Sequence, residues 1–406
     1  MVLKKIVSLK SILLLIPLCL MFLLSCQNDD DDLSVQVEEE EYTEFPTEDG
    51  KDIIWVSNVD ELMQTVQSTK EGNKVVIIKD GTYVLKDRLW LTGDNLIYRS
   101  ESGDREKVVL KGNGMDGSIG FIFSILGNNF ALKDISLGEV RNHGIQIHGE
   151  FNADNMHVRN VRFFNIREQM IKGTRDRNNT YEKHTDSCIV ENCLFEYTSG
   201  YAFQAYCGGI DVHHGVDWQI RNCTFRNIRT ANNQLTEGAI HFWSNSENTL
   251  CENNTIYNCD RGIMYGLDNS PHKGGIICNN MIHVTKDVGI YLCFATDAKV
   301  YNNSIYTDSN YPNSIEYRFA ETKGCEIINN LTNKLIAQRN NGQATVENNI
   351  DNAQESWFVN PTIGDMHLKT SPVEVIDKAN DLTDVPKDFD GDERVEGSSD
   401  IGADEK

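Results

Sequence analysis

The chain has 406 residues, seven prolines, thirty glycines and a formal charge of −23 at pH 7. A surface that binds nucleic acid needs an excess of lysine and arginine, whereas 61 acidic residues here outnumber 38 basic ones. This balance excludes a nucleic-acid partner.

Residues 1–26 combine a basic start with an apolar run over residues 12–24 and end in Leu23-Leu-Ser-Cys26. This pattern is typical of an export signal and is too short for a membrane span. The ending resembles a bacterial lipobox, which predicts lipidation of Cys26, although an ordinary cleaved signal is the alternative. Residues 27–51 are acidic and are predicted to form a flexible tether. We therefore expect a surface-exposed outer-membrane lipoprotein that contacts the membrane only through its lipid anchor.

Residues 52–405 are predicted to form a single domain, beginning with a cap over residues 52–110. Helical spacing of Leu62, Met63 and Val66 predicts a helix over residues 59–70. Residues 75–85 then have the pattern of a strand, an Asp-Gly turn and a second strand. A helix in front of such a strand can cover the open end of a β stack.

A short apolar strand that ends in asparagine recurs along the middle of the chain. Its spacing ranges from 32 residues (Asn160 to Asn192) to 19 residues (Asn329 to Asn348). Repeats of this length predict an all-β fold, a right-handed parallel β-helix with coils about 4.8 Å apart. The asparagines are predicted to form a hydrogen-bonded ladder at a sharp corner. The repeat fades after Asn349, so residues 350–405 are predicted to close the helix.

Nine of the eleven cysteines lie between Cys188 and Cys325, at positions within the predicted strands. Cysteine behaves there as a small apolar residue, and an odd number cannot pair completely. We predict buried free thiols rather than a disulfide framework.

These coils resemble the right-handed parallel β-helix superfamily, which has the pectate-lyase-like fold. The segment Asp80-Gly-Thr-Tyr83 is similar to the start of chondroitinase-B-like and alginate-lyase-like members. The tail, Asp388-Phe-Asp-Gly-Asp-Glu-Arg394 followed by Asp400-Ile-Gly-Ala-Asp-Glu405, resembles the C-terminal segment of many secreted β-helix proteins. The resemblance implies the fold but assigns no catalytic residue, because this fold carries lyases, hydrolases, epimerases and adhesins. The tail also resembles a calcium loop without the EF-hand spacing, so the sequence leaves calcium as a cofactor open.

Aligning the first strand of each coil places the outward side chains in two columns. One column contains Gln146, Met170, Asp211, His241, Met264, Tyr291 and Glu316, and the other contains His148, Lys172, His213, Trp243, Gly266, Cys293 and Arg318. Histidine, aspartate and lysine can transfer protons near neutral pH, and a tryptophan offers a platform for a sugar ring. We predict that the catalytic residues are Lys172, Asp211, His213 and His241.

In a lyase that acts on a uronate, Lys172 or His213 would remove the C5 proton, and Arg175 or Arg261 would neutralise the carboxylate. The base role requires a lowered pKa for Lys172, which a cationic His213 could provide. The predicted substrate-binding residues are Trp243, Arg175, Arg261, His148, His214 and Glu237. Insertions at residues 173–187, 197–209 and 229–238 are predicted to form the walls of the groove.

The sequence thus predicts a monomeric, lyase-like enzyme that acts on an extracellular polysaccharide containing uronate. One alternative is a glycan-binding or adhesion protein that uses the same groove without catalysis. Another is a merely polar solenoid face. Asp211, His213 and His241 could instead hold a metal ion, although no local metal motif supports this.

Overall fold

A computed structural model describes residues 44–176 and 183–406 of the chain. The described residues form a parallel β-solenoid of about 11 turns. Cys26, the predicted signal and most of the predicted tether lie outside the described residues. Phe45 and Glu48, from the end of that tether, contact the solenoid through His157 and Arg99. Among the described residues, no helix is long and apolar enough to cross a membrane.

The strands form three long parallel sheets and one short one. Sheet 1 contains Asp52–Val56, Lys74–Ile78, Leu96–Ser100, Ala131–Lys133, His157–Arg159, Ile189–Glu191, Gln219–Arg221, Leu250–Glu252, Ile276–Cys278, Lys299–Tyr301, Cys325–Ile328 and Ala344–Glu347. Sheet 2 contains Leu89–Leu91, Phe121–Ile125, His143–His148, Gln169–Thr174, Gly208–His213, Ile240–Trp243, Ile263–Tyr265, Ile290–Cys293, Asn313–Arg318 and Leu335–Arg339. Sheet 3 contains Gly81–Val84, Val108–Lys111, Ser136–Gly138, Arg162–Phe164, Leu194–Glu196, Thr224–Arg226, Thr255–Cys259, Met281–Val284, Ser304–Thr307 and Leu331–Thr332. Sheet 4 contains Thr185–Asp186, Gly215–Val216, Ser246–Glu247, His272–Lys273 and Ala295–Thr296.

Each coil runs from sheet 2 to sheet 1 and then to sheet 3, and the strands of sheet 4 lie between sheets 2 and 1. Alternation along a strand sends every second side chain into the core, where Ile210 and Val212 are fully buried. Like residues also stack on one another between coils. The rings of Phe163, Phe195 and Phe225 stack with centroids 4.6 and 4.5 Å apart. The predicted parallel β-solenoid is confirmed.

The recurring asparagines lie at the corner between sheets 1 and 3. Asn160, Asn192, Asn222, Asn253, Asn279, Asn302, Asn329 and Asn348 all have φ between 50° and 58°. Asparagine tolerates this left-handed conformation better than most residues, which explains why it recurs at the corner.

The continuous buried ladder, however, is formed by the following residue in each coil. Asn254, Asn280, Asn303, Asn330 and Asn349 pass hydrogen bonds from coil to coil. Each side-chain oxygen accepts the backbone N–H of the preceding coil, as in the 3.0 Å bond from Cys223 to Asn254. The predicted corner is confirmed. Some corner asparagines also bond between coils, as Asn348 does to Asn329 at 2.9 Å, but the continuous ladder lies one residue later than predicted.

All nine cysteines in the described residues are free and buried, as predicted. Cys193 and Cys223 occupy the ladder position in the coils before Asn254, and each accepts a backbone N–H. Burial raises the pKa of Cys188 to about 12, which favours its protonated form. These thiols act as core residues.

The helix lies at the N-terminal end of the solenoid, whereas the closing segment packs along the side of sheet 3. The helix Val59–Ser68 begins at Asn58, whose side chain accepts the backbone N–H of Glu61, and its buried Leu62 joins the core. Short 3-10 helices occur at Gly149–Phe151, Glu355–Trp357 and Pro361–Ile363, and the antiparallel pair Phe358–Asn360 and Asp365–Leu368 belongs to the closing segment. In the tail, Asp388 is buried and accepts backbone N–H groups from Asp390, Asp392 and Glu405. The tail is therefore folded, and it packs against sheet 3, where the backbone N–H of Ala403 donates to Ser304 Oγ at 3.0 Å.

Replacing Asn303 by alanine tests the ladder. The side chain accepts the backbone N–H of Asn280 at 3.0 Å and donates to the carbonyl of Ile277 at 2.9 Å, so both groups would be left unpaired in the core. We expect Asn303→Ala to lower the free energy of unfolding by about 2–4 kcal/mol in urea denaturation. Asn310→Ala, at an exposed position, is the control. Equal midpoints for the two variants would contradict a stabilising ladder.

Candidate functional site

The predicted catalytic residues lie on the outer face of sheet 2. Successive strands pair Gln146 with Lys172, Lys172 with Asp211, and Asp211 with His241. The predicted column that contained Met170 is therefore wrong, because Met170 is fully buried and Lys172 takes its place. Shifting the strand by two residues relative to the prediction places Lys172 directly beside Asp211.

Lys172 and Asp211 form a buried ion pair. Lys172 Nζ lies 2.8 Å from Asp211 Oδ2, and the two side chains are only 10% and 4% exposed. The other oxygen, Oδ1, accepts the indole N–H of Trp243 at 2.8 Å. Burial alone would raise the pKa of Asp211, but the charge of Lys172, the two nearby histidines and the hydrogen bond from Lys172 together outweigh this effect and hold that pKa well below its usual range. Both oxygens of a permanently ionised Asp211 are thus occupied.

Two histidines pack against Trp243. The ring of His213 lies 4.4 Å from the Trp243 ring, and the ring of His241 is stacked 4.9 Å from it. Burial and the nearby charge of Lys172 lower the pKa of His213 to about 3, and burial lowers that of His241 to about 4. Both rings are therefore neutral near pH 7, so a cationic His213 does not assist Lys172 as the sequence analysis had supposed. His213 is partly exposed, whereas His241 is completely buried.

Glu237 enters this site from the 229–238 insertion. Its Oε2 lies 4.0 Å from His241 Nδ1. Burial raises the pKa of Glu237, and the negative charge of Asp211 raises it further. The site therefore contains two carboxyl groups whose pKa values shift in opposite directions.

The remaining predicted site residues lie at different distances from Asp211. Arg175 is half-buried, and its charge helps to lower the pKa of His213. His148 lies two strands before Asp211 and contacts Glu150 at 2.9 Å. His214 packs against His184 at the start of the turn after the strand. Arg261 pairs with Asp287 at 2.7 Å in a neighbouring cleft, and its charge also acts on Glu237 and His241. We call the group formed by Lys172, Asp211, His213, Glu237, His241 and Trp243 the lysine centre.

Lys286, which the sequence analysis missed, organises the 229–238 insertion. Its ammonium group donates to the carbonyl oxygens of Thr230, Asn232 and Gln234 at 2.7, 2.6 and 3.1 Å. The same group lies 3.3 Å from Oδ2 of Asp260, which is completely buried. The ammonium group of Lys286 thus fixes the conformation of the loop that carries Glu237.

The metal alternative for Asp211, His213 and His241 gains no support. Within the described part of the chain, the only group with suitably close ligand atoms is His367, Asp390 and Asp404, in the closing segment. The ring nitrogens of His367 already contact Asp365 and Asp390, at 2.7 and 3.0 Å. At the lysine centre, the ammonium of Lys172 would repel a cation.

Comparison with solved structures identifies the fold. The structure of pectate lyase Pel9A is similar with a TM-score of 0.57 and 13% sequence identity, over 88% of this chain and 96% of that chain. The chain has the pectate-lyase-like parallel β-helix fold. A rhamnogalacturonan lyase is similar with a TM-score of 0.51 and 12% identity, over 76% and 90% of the two chains. No protein-family model and no curated protein sequence matches the chain.

Replacing Lys286 by methionine tests its role in the groove wall. The change leaves Asp260 buried without its cation, and we expect a loss of about 3 kcal/mol in the free energy of unfolding. The amides of Thr230 and Thr236, which both donate to Asp260, should lose protection in hydrogen exchange. The control is Lys273→Met, because that lysine is exposed and lies 4.0 Å from Glu247. Unchanged protection at both threonine amides would exclude this role for Lys286.

Proposed function

We propose that the protein is a polysaccharide lyase-like enzyme that cleaves an extracellular, uronate-containing polysaccharide on the outer face of sheet 2. The observation that carries the proposal is the buried pair of Lys172 and Asp211 beside Trp243. A buried ion pair is a poor way to stabilise a fold, because desolvation offsets most of the attraction. Strongly shifted pKa values beside a specific charge partner are instead characteristic of functional sites.

Lys172 and Arg175 are the groups that receive the uronate carboxylate. Asp211 fixes the position of Lys172 through their 2.8 Å hydrogen bond. Removal of the C5 proton places additional negative charge on the carboxylate group of the sugar. Fixed cations in a water-poor site stabilise such developing charge effectively.

His213 is the base in this mechanism. It is neutral near pH 7, and its Nδ1 lies 2.9 Å from Ser244 Oγ, which fixes the ring. Burial is the largest cause of its low pKa. The charge of Lys172 is the second, and the charge of Arg175 also contributes. A bound carboxylate would offset both charges and raise the basicity of His213 when substrate is present.

The elimination also requires that a proton be supplied to the leaving oxygen. His213 takes the C5 proton, the C4–O bond breaks, and a C4–C5 double bond remains in the product. Glu237, whose pKa is raised, would protonate the leaving oxygen. Asp211 is a positioning residue because both of its oxygens are occupied, and the same fact disfavours its use as a glycosidase nucleophile.

The test is incubation with a panel of uronate polysaccharides while the ultraviolet absorbance of unsaturated ends is recorded. We expect turnover on at least one polymer, and a decrease of about 100-fold or more in kcat for His213→Ala and Lys172→Ala. Because Lys172→Ala leaves Asp211 unpaired, Lys172→Arg serves as a second variant that retains the ion pair. Circular dichroism checks the fold, and exposed Lys323→Ala is the control.

Full activity in both His213→Ala and Lys172→Ala would contradict this assignment of the site. Binding of a glycan without turnover on any polymer would favour the alternative of a glycan-binding or adhesion protein.

A further inference from the structure

A second charged cleft lies farther along the outer face of sheet 2. It has a volume of about 270 Å³ and is lined by Arg261, Leu267, Asp268, Asp287, Val288, Tyr291, Tyr311, Glu316, Arg318 and Arg339. The register continues from His241 through Met264 and Tyr291 to Glu316. Five strand spacings separate Lys172 from Glu316, which amounts to about 24 Å. The cleft and the lysine centre therefore share one face.

Two of the three arginines in this cleft are neutralised by carboxylates. Arg261 Nε lies 2.7 Å from Asp287 Oδ2, and Arg339 Nη1 lies 3.0 Å from Glu316 Oε2. These pairs form the sides of the cleft and contribute no net charge to it.

Arg318 differs because the groups that its guanidinium contacts are all neutral. It donates to Asn340 Oδ1 at 2.7 Å and to the hydroxyl of Tyr291 at 3.3 Å, and its guanidinium lies 4.5 Å from the centre of the Phe319 ring. No carboxylate in the described parts of the chain lies within ion-pair distance of Arg318. Since a guanidinium is always charged and prefers carboxylates, the cleft presents an anion site.

The same cleft also presents an acceptor for hydroxyl groups. Asp268 is exposed in the turn between Leu267 and Ser270 and forms no ion pair with any described residue. A hexuronate carries one carboxylate, which suits Arg318, and several hydroxyl groups, which suit Asp268. Tyr291 and Tyr311 add aromatic surface for the sugar ring.

The strip between Trp243 and Arg318 has small side chains. In the column that contains these two residues, the intervening coils contribute Gly266 and Cys293. Gly266 has φ of +70°, and a Cβ atom there would lie 2.0 Å from the Cys293 carbonyl oxygen. Any other residue at Gly266 would therefore be strained. Gly266 and Cys293 are both buried, so neither places a side chain in the path between Trp243 and Arg318.

We propose that the Arg318 cleft binds one uronate residue of the same polysaccharide chain that reaches the lysine centre. This inference rests on the proposed function and specifies an acidic polymer that is long enough to span both places. The cleft volume is just below the range of about 300–1,000 Å³ for drug-sized ligands, which suits a single sugar ring. Arg318 would thus determine affinity and charge preference without taking part in bond cleavage.

The test is calorimetric binding of long uronate oligosaccharides and their methyl esters to His213→Ala protein, which prevents turnover. We expect added Arg318→Ala to weaken binding of the acid form about tenfold or more, and to reduce the preference for acid over ester by a similar factor. Asp268→Asn should weaken binding of both forms and retain the acid preference. In otherwise unchanged protein, Arg318→Ala should raise KM and leave kcat intact, and Lys323→Ala is again the control.

Unchanged affinity and charge preference in Arg318→Ala would overturn the cleft proposal and leave the lyase proposal standing. Arg318-dependent binding by a protein that cleaves no uronate polymer would support the cleft and overturn the lyase proposal. Absence of uronate binding in every variant would overturn both.

Discussion

Stacking of parallel strands in register is the constraint on which every other feature of the molecule depends. Each coil must turn sharply and return to the same sheets, and a left-handed asparagine provides the turn at one corner. The next residue then joins a ladder of buried amides, which satisfies backbone groups that the corner leaves without strand partners. Since the register is fixed in this way, a side chain on one coil has a defined neighbour on the next.

The lysine centre is a consequence of that register. Lys172 and Asp211 are 39 residues apart in sequence but are direct partners in sheet 2. Their ion pair, the indole bond from Trp243 and the neutral histidines occupy consecutive coils. The 229–238 insertion adds Glu237 to the same face, and Lys286 secures that loop by hydrogen bonds to its carbonyl groups. The stacked coils therefore support a buried, charged site.

The fold was largely predictable because its signals are local and repeated. The Asn corner and the apolar-x-apolar strand recur often enough to identify the period and the sheets. The ladder was misplaced because several corners contain two consecutive asparagines, such as Asn253 and Asn254, and the pattern does not show which one faces inward. Met170 was misplaced because a shift of two residues preserves the alternation of inward and outward side chains, so the pattern permitted both registers.

Other features of the site were not accessible from sequence. The two predicted columns gathered Lys172, Asp211 and Trp243 in one patch, but they placed Lys172 beside His213, and its pairing with Asp211 depends on the strand register. Lys286 is 56 residues from Thr230, and no sequence signal distinguishes it from an ordinary surface lysine. Burial also distinguishes the two histidines as candidate bases, since His213 is partly exposed and His241 is not. Such distinctions depend on tertiary contacts.

The most direct measurement is a crystal structure of the His213→Ala protein with a long uronate oligosaccharide bound. The account predicts a sugar ring against Trp243, a carboxylate within hydrogen-bond distance of Lys172 Nζ, and the chain directed along sheet 2. An oligosaccharide bound on sheet 1 or sheet 3, with the lysine centre empty, would contradict it.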